Sequence, residues 1–219
     1  MAVLANFNRG QGLPSQVYLP SQTPVNGPGP SLFWNGAFYV QYGASAALVN
    51  STTETSLLNN TASTTVGFYT QGSAAAYPAS TLALQKGMLN TGTCFRLLAT
   101  GIISTTGTPT LRVRVVLRNS AGAIAYTLTD TGAVAATSGL SSSLFQFSGE
   151  WCVTSIGTSG TVLCWGTERQ GAAFNNTDAP SSVTVDTTQP YTLDLLGTWG
   201  TASAADTLTV QNVMIGVLA

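Results

Sequence analysis

Leu111-Arg112-Val113-Arg114-Val115-Val116-Leu117-Arg118 sets apolar side chains at 111, 113, 115 and 117 and arginine at 112, 114 and 118. Successive side chains of an extended chain point to opposite faces, so this period of two describes a strand with one face in a core. A second pair of stretches agrees. Leu144-Phe145-Gln146-Phe147-Ser148-Gly149-Glu150-Trp151-Cys152-Val153 and Thr161-Val162-Leu163-Cys164-Trp165-Gly166 flank the turn-forming Gly157-Thr158-Ser159-Gly160. A hairpin centred near Thr158 sets Trp151 opposite Trp165, Cys152 opposite Cys164 and Val153 opposite Leu163. Matched residue types at matched distances from a turn fit cross-strand pairing.

Working outward, short strands are expected near 52–59, 64–70, 80–89, 93–104, 109–119, 121–128, 142–156, 160–170, 181–186, 190–199 and 206–218. Turn-formers separate them, among them Asn90-Thr91-Gly92, Thr106-Gly107-Thr108-Pro109 and Asn119-Ser120-Ala121-Gly122. Strands at this spacing, rich in Val, Thr, Ile and aromatics and without helical periodicity, describe an all-β sandwich or barrel. Thr105 to Leu111 and Gly200 to Leu208 each put a small-residue turn before a hydrophobic strand, a weak echo that fits two similar hairpin corners on opposite sheets. The last strand is apolar on both parities in its second half, Val213-Met214-Ile215-Gly216-Val217-Leu218, and so is expected to be covered on both faces.

Residues 1 to about 31 read differently. Pro14, Pro20, Pro24, Pro28 and Pro30, with Gly27 and Gly29, leave neither helix nor central strand. Tyr18 and Leu19 give this arm something to bury on a neighbour, and disorder is the competing reading. The aromatic run that follows, with Phe33, Trp34, Phe38 and Tyr39, reads either as a core strand or as an inter-subunit anchor. The chain thus divides into an arm and anchoring segment, 1–45, and a β-sandwich, 46–219.

Only 7% of the 219 residues are charged, against about 25% in an ordinary domain. A surface built from hydroxyls and amides, at net charge −1, offers little self-repulsion and favours association with other subunits. The balance is not basic, so neither nucleic acid nor an anionic membrane is an expected partner. Arg112, Arg114 and Arg118 form either a solvated, ion-paired outer face or a docking stripe for an acidic partner. Cys94, Cys152 and Cys164 follow no CxxC spacing. They read as buried thiols or as a Cys152–Cys164 cross-strand disulfide, the latter needing an oxidising compartment. The first 22 residues lack a charged segment followed by an apolar one, so folding in cytoplasm is expected.

The chain contains no histidine, which removes Ser-His-Asp and Cys-His catalysis and the commonest metal ligand. Three scattered cysteines make a poor zinc set, and no phosphate-cradling glycine motif occurs. Glu150 and Glu168 remain as a formal carboxylate pair that a hairpin brings near one another, with ion pairing as the simpler reading. No enzyme activity, cofactor, metal or small-molecule substrate is expected.

Gly107-Thr108-Pro109-Thr110-Leu111-Arg112-Val113-Arg114-Val115, then Thr129-Asp130-Thr131-Gly132-Ala133-Val134, Val183-Thr184-Val185-Asp186-Thr187-Thr188, Leu193-Asp194-Leu195 and Gly197-Thr198-Trp199-Gly200-Thr201-Ala202 carry a resemblance. Over about residues 51 to 219 the chain resembles jelly-roll virion proteins of tailed bacteriophages: capsid decoration (cement) proteins, head fibres and related tail domains. The resemblance implies a jelly-roll-like antiparallel β-sandwich, a structural subunit without catalytic residues, and a homotrimer held on the capsid surface by its N-terminal part. The major capsid protein and copies of itself would then be its partners. The residues themselves, rather than the resemblance, give the candidate assembly contacts: Tyr18, Leu19, Phe33, Trp34, Phe38, Tyr39, Arg112, Arg114 and Arg118. A tail fibre or spike domain binding a host receptor or glycan is the alternative, with Trp34 or Trp199 stacking on sugar.

Overall fold

The arginine-bearing stretch is the strand Thr110–Arg118, in the middle of one of two antiparallel sheets in this computed structural model. Residues 37–42, 45, 47–58, 83–84, 89–176 and 181–218 are described. Tyr18, Leu19, Phe33 and Trp34, and the strand expected at 64–70, lie outside them. In chain order the strands are β1 (Ala37–Tyr42), β2 (Leu48–Val49), β3 (Thr55–Ser56), β4 (Ala83–Leu84), β5 (Cys94–Ser104), β6 (Thr110–Arg118) and β7 (Ile124–Asp130). They continue as β8 (Val134–Ala135), β9 (Ser143–Ser155), β10 (Gly160–Gln170), β11 (Ala173–Asn176), β12 (Ser181–Val185), β13 (Tyr191–Trp199) and β14 (Thr207–Val217).

Sheet A runs β1-β14-β5-β9-β10-β11, with β2 also on β14 and β12 also on β10; sheet B runs β3-β13-β6-β7, with β4 on β13 and β8 on β6. The first long strand pairs with the last, β5 with β14, and the second with the next to last, β6 with β13. This nesting wraps the chain into a jelly-roll-like sandwich. The alternating residues of facing strands fill the space between the sheets: Leu111, Val113, Val115 and Leu117 from β6, and Phe145, Phe147, Trp151 and Val153 from β9. β1, within the aromatic run read as either a strand or an inter-subunit anchor, is hydrogen-bonded along β14 as an edge strand of sheet A.

The two small-residue corners are not hairpins. Residues 105–109 carry the chain from sheet A to sheet B, and residues 200–206 carry it back. They lie side by side, because buried Asp206 accepts a bond from the Thr106 amide at 2.7 Å and Gly200 N–H donates to Thr110 O at 2.8 Å. A carboxylate at one corner thus supplies an acceptor to a turn amide at the other.

Two bulges decide which residues face which way. On β14 the register shifts between Val210 and Asn212, opposite Gly101. A Cβ on Gly101 would sit 2.1 Å from Thr209 O, so only glycine admits this close approach. On β9 the extra residue is Thr154: Thr161 pairs with Ser155, but Val162 already pairs with Val153. The predicted centre therefore holds only beside the turn. Farther out, Cys164 stands opposite Trp151, Leu163 opposite Cys152, and Trp165 opposite Glu150.

Candidate functional site

That one-residue shift corrects the cysteine reading. Cys152 faces outward and pairs on its other side with Cys94 of β5, with Cα atoms 4.1 Å apart, and the two form a disulfide. Cys164 turns into the core as a buried thiol. Burial pushes its ionisation up to about 12, so it carries no nucleophilic thiolate at neutral pH. Counting outward from a turn cannot reveal a bulge, and nothing in the spacing of Cys94 marks it as the partner.

The arginine face of sheet B is outward as expected, and each guanidinium is engaged within the chain. Arg112 forks onto Asp130, with Nε to Oδ1 at 2.8 Å. Arg114 forks onto Glu54, with Nε to Oε1 at 2.7 Å, and also donates to Thr127 Oγ1. Arg118 donates from Nε to Asp194 Oδ2 at 2.8 Å and from Nη1 to Gly122 O. The Asp194 carboxylate is fully buried and also accepts from Ser56 Oγ. Of the two readings of this stripe, ion pairing is the one the contacts realise. The burial of Asp130 acts to raise its carboxyl, and the bonds from Arg112 and the Gly132 amide outweigh that and hold it below the ordinary range.

The formal acid pair comes apart. Glu150 points outward and is bonded by Arg96 Nε at 2.6 Å, whereas Glu168 points inward and is fully buried. They occupy opposite faces of sheet A and cannot flank one substrate bond. Trp199 is likewise in the core, its indole donating to Leu48 O at 3.0 Å, so it has no face to offer a sugar. The side chains of Phe38 and Tyr39, on β1, lie outside the description.

Glu168 Oε1 accepts from Gln170 Nε2 at 2.8 Å, while Oε2 has no protein partner. Burial pushes this carboxyl up to about 7, with the Gln170 bond opposing. A group raised in the folded state favours folding below its unfolded value near 4.5, and that contribution is lost as pH rises through about 7. Glu168→Gln is therefore expected to flatten the decline in stability between these pH values, a difference of about 3 kcal/mol. Denaturant titrations of both proteins at pH 4, 5.5 and 8 check this. Parallel pH profiles would show that Glu168 is not the titrating group.

A small cavity of about 180 Å³ opens at the edge of the sandwich between β7, β10 and β12. Thr127, Leu128, Thr129 and Asp130 of β7, Cys164 and Trp165 of β10, and Ser181 and Val183 of β12 line it. It sits where β12 leaves β10 after Cys164 and before β11 joins at Thr167. Among the described residues no group of three or more potential ligands is placed to hold a metal ion, and no helix is long and apolar enough to cross a membrane. Alternation alone marked Trp165 as a strand residue but could not show that β7 of the other sheet passes beside it.

No protein-family model and no curated protein matches the sequence. Among solved structures, the chain is similar to the CBM2 module of the evolved Dit of Lactobacillus casei BL23 phage J-1. The TM-score is 0.31 at 10% identity, over 63% of this chain and 68% of that one.

Proposed function

We propose that this chain is a structural, non-enzymatic subunit of a bacteriophage virion: a capsid decoration protein that binds the head shell and stabilises it. Its partners in this reading are the major capsid protein and copies of itself, as a homotrimer on the outer capsid surface. The observation that carries it is the commitment of charge. Every arginine among the described residues is engaged inside the chain, four in ion pairs and Arg169 over the Phe174 ring and onto Gly171 O. The described surface then offers partners no uncommitted arginine, which suits burial against protein rather than against nucleic acid or anionic lipid. The motif resemblance set out above supplies the particle. At ~25 cal/mol per Å², a contact of ~800 Å² per partner is a large gross stabilisation before entropic costs.

Labelling intact virions with antibody to this chain tests the reading. Regular signal over the whole head is the expected result, and signal confined to the tail tip overturns it. The cavity beside Trp165 favours a second reading, a tail fibre or spike domain that holds a glycan, since a tryptophan and hydroxyl-bearing residues among its lining are residue types that suit a sugar ring. Glycan binding by the pure chain that Trp165→Ala abolishes would favour that reading.

A further inference from the structure

The two outer faces of the sandwich are chemically unlike. Sheet B carries outward the ion pairs of Arg112, Arg114 and Arg118, whereas sheet A carries a band of exposed apolar side chains. Met214 on β14 is 44% exposed, Ile102 on β5 38%, Leu144 on β9 42% and Phe174 on β11 68%. The ladder puts all four on one face: Ile102 pairs directly with Leu144, while Phe174, opposite Arg169, and Met214, opposite Leu98, lie two and four residues along from that level. From β14 to β11 the band spans four strand intervals of ~4.8 Å, or about 19 Å. The last strand was expected to be covered on both faces; here its outer face is open.

We infer that this outer face of sheet A is the seat for residues 1–36 of a neighbouring copy. The assembly part of the proposed function underlies the inference; the identity of the particle does not. Three properties of the segment fit the face. Residues 1–36 carry one charged side chain, Arg9, and include Leu4, Phe7, Leu13, Val17 and Leu19. An uncharged apolar segment desolvates no ion on sheet A beyond the self-paired Arg96 and Glu150 and the stacked Arg169, whereas on sheet B it would desolvate the pairs of Arg112 with Asp130 and Arg114 with Glu54. Five of its residues are proline, which cannot donate to a ladder, so it suits lying across a face rather than extending a sheet edge. Finally, it leaves the fold at β1, whose Val40 pairs with Met214 at the rim of this same face, and 36 residues at ~3.3 Å each reach ~120 Å, far enough for another copy.

The test uses the full-length chain. Protein bearing Leu144→p-benzoylphenylalanine is prepared with natural and with 15N isotopes, mixed, irradiated and digested. Cross-links from position 144 to peptides within 1–36, as pairs of unlike isotope, are the expected result. In sedimentation experiments Ile102→Glu with Leu144→Glu is expected to weaken self-association by at least ~100-fold, because docking would bury two unpaired carboxylates. Both sites are exposed, so the variant is expected to fold, with melting lowered only slightly by the two like charges placed opposite one another. Cross-links confined to one copy, cross-links to sheet A of a second copy, or a full-length chain that sediments as a monomer would each overturn the inference. Absence of the chain from virion heads together with the expected cross-links sinks only the decoration reading. Head labelling without these cross-links sinks only the docking of residues 1–36.

Discussion

Reduction of the Cys94–Cys152 disulfide is expected to lower stability by about 4 kcal/mol. The bond joins residues 58 apart in sequence, and the chain-entropy relation for a loop of that size gives this figure. For a domain of this size the loss corresponds to a melting temperature lower by about 10 °C. Calorimetry with and without reductant, and with Cys94→Ala plus Cys152→Ala, checks it. Thiol titration of the denatured, unreduced chain should find one free thiol, from Cys164. Three free thiols in virion-derived protein would show that the bond does not form where the protein assembles. The β5–β9 ladder runs from Cys94 to Ile103, well beyond the bond, so reduction is expected to change stability and leave the fold intact.

Replacing Asp194 by alanine is expected to cost about 3–5 kcal/mol, the usual result of removing one member of a buried ion pair. Asp194 is fully buried on β13, and Arg118 and Ser56 both direct donors at it. Truncation removes the buried carboxylate to which Arg118 Nε donates, while the bond from Nη1 to the Gly122 carbonyl stays. The double variant Arg118→Met with Asp194→Leu removes both charges and should recover much of the loss, because the desolvation of each ion disappears with it. Equilibrium denaturation of the single and double variants measures the coupling. A double variant as unstable as the sum of the singles would mean that the two residues act independently.

The long strands were legible because their alternation is a one-dimensional signal. β5, β6, β9, β10, β13 and β14 fall within a residue or two of the ranges expected from period two and turn-formers. β2, β8 and β11 were not, since two to four residues carry too little pattern to register. The candidate contacts fared according to the same rule. Arg112, Arg114 and Arg118 were correctly set on an outer face, but their acids come from Glu54, Asp130 and Asp194, on segments up to 76 residues away in sequence. Only sheet pairing reveals those partners. Met214 shows the converse error, an apolar residue on an apolar strand that the sandwich leaves exposed.

By itself, then, the sequence determined the all-β class, the alternation that gives each long strand an inward face, and the poverty in charge that points toward association. These follow from residue type and spacing alone, because side-chain direction along a strand is a local property. Tertiary structure decided everything that depends on register: that Cys94 and not Cys164 bonds Cys152, that Glu150 and Glu168 lie on opposite faces, and that the open apolar face belongs to sheet A. One extra residue in a strand exchanges its faces beyond that point, and a bulge is stabilised by contacts with neighbouring strands that no local pattern records.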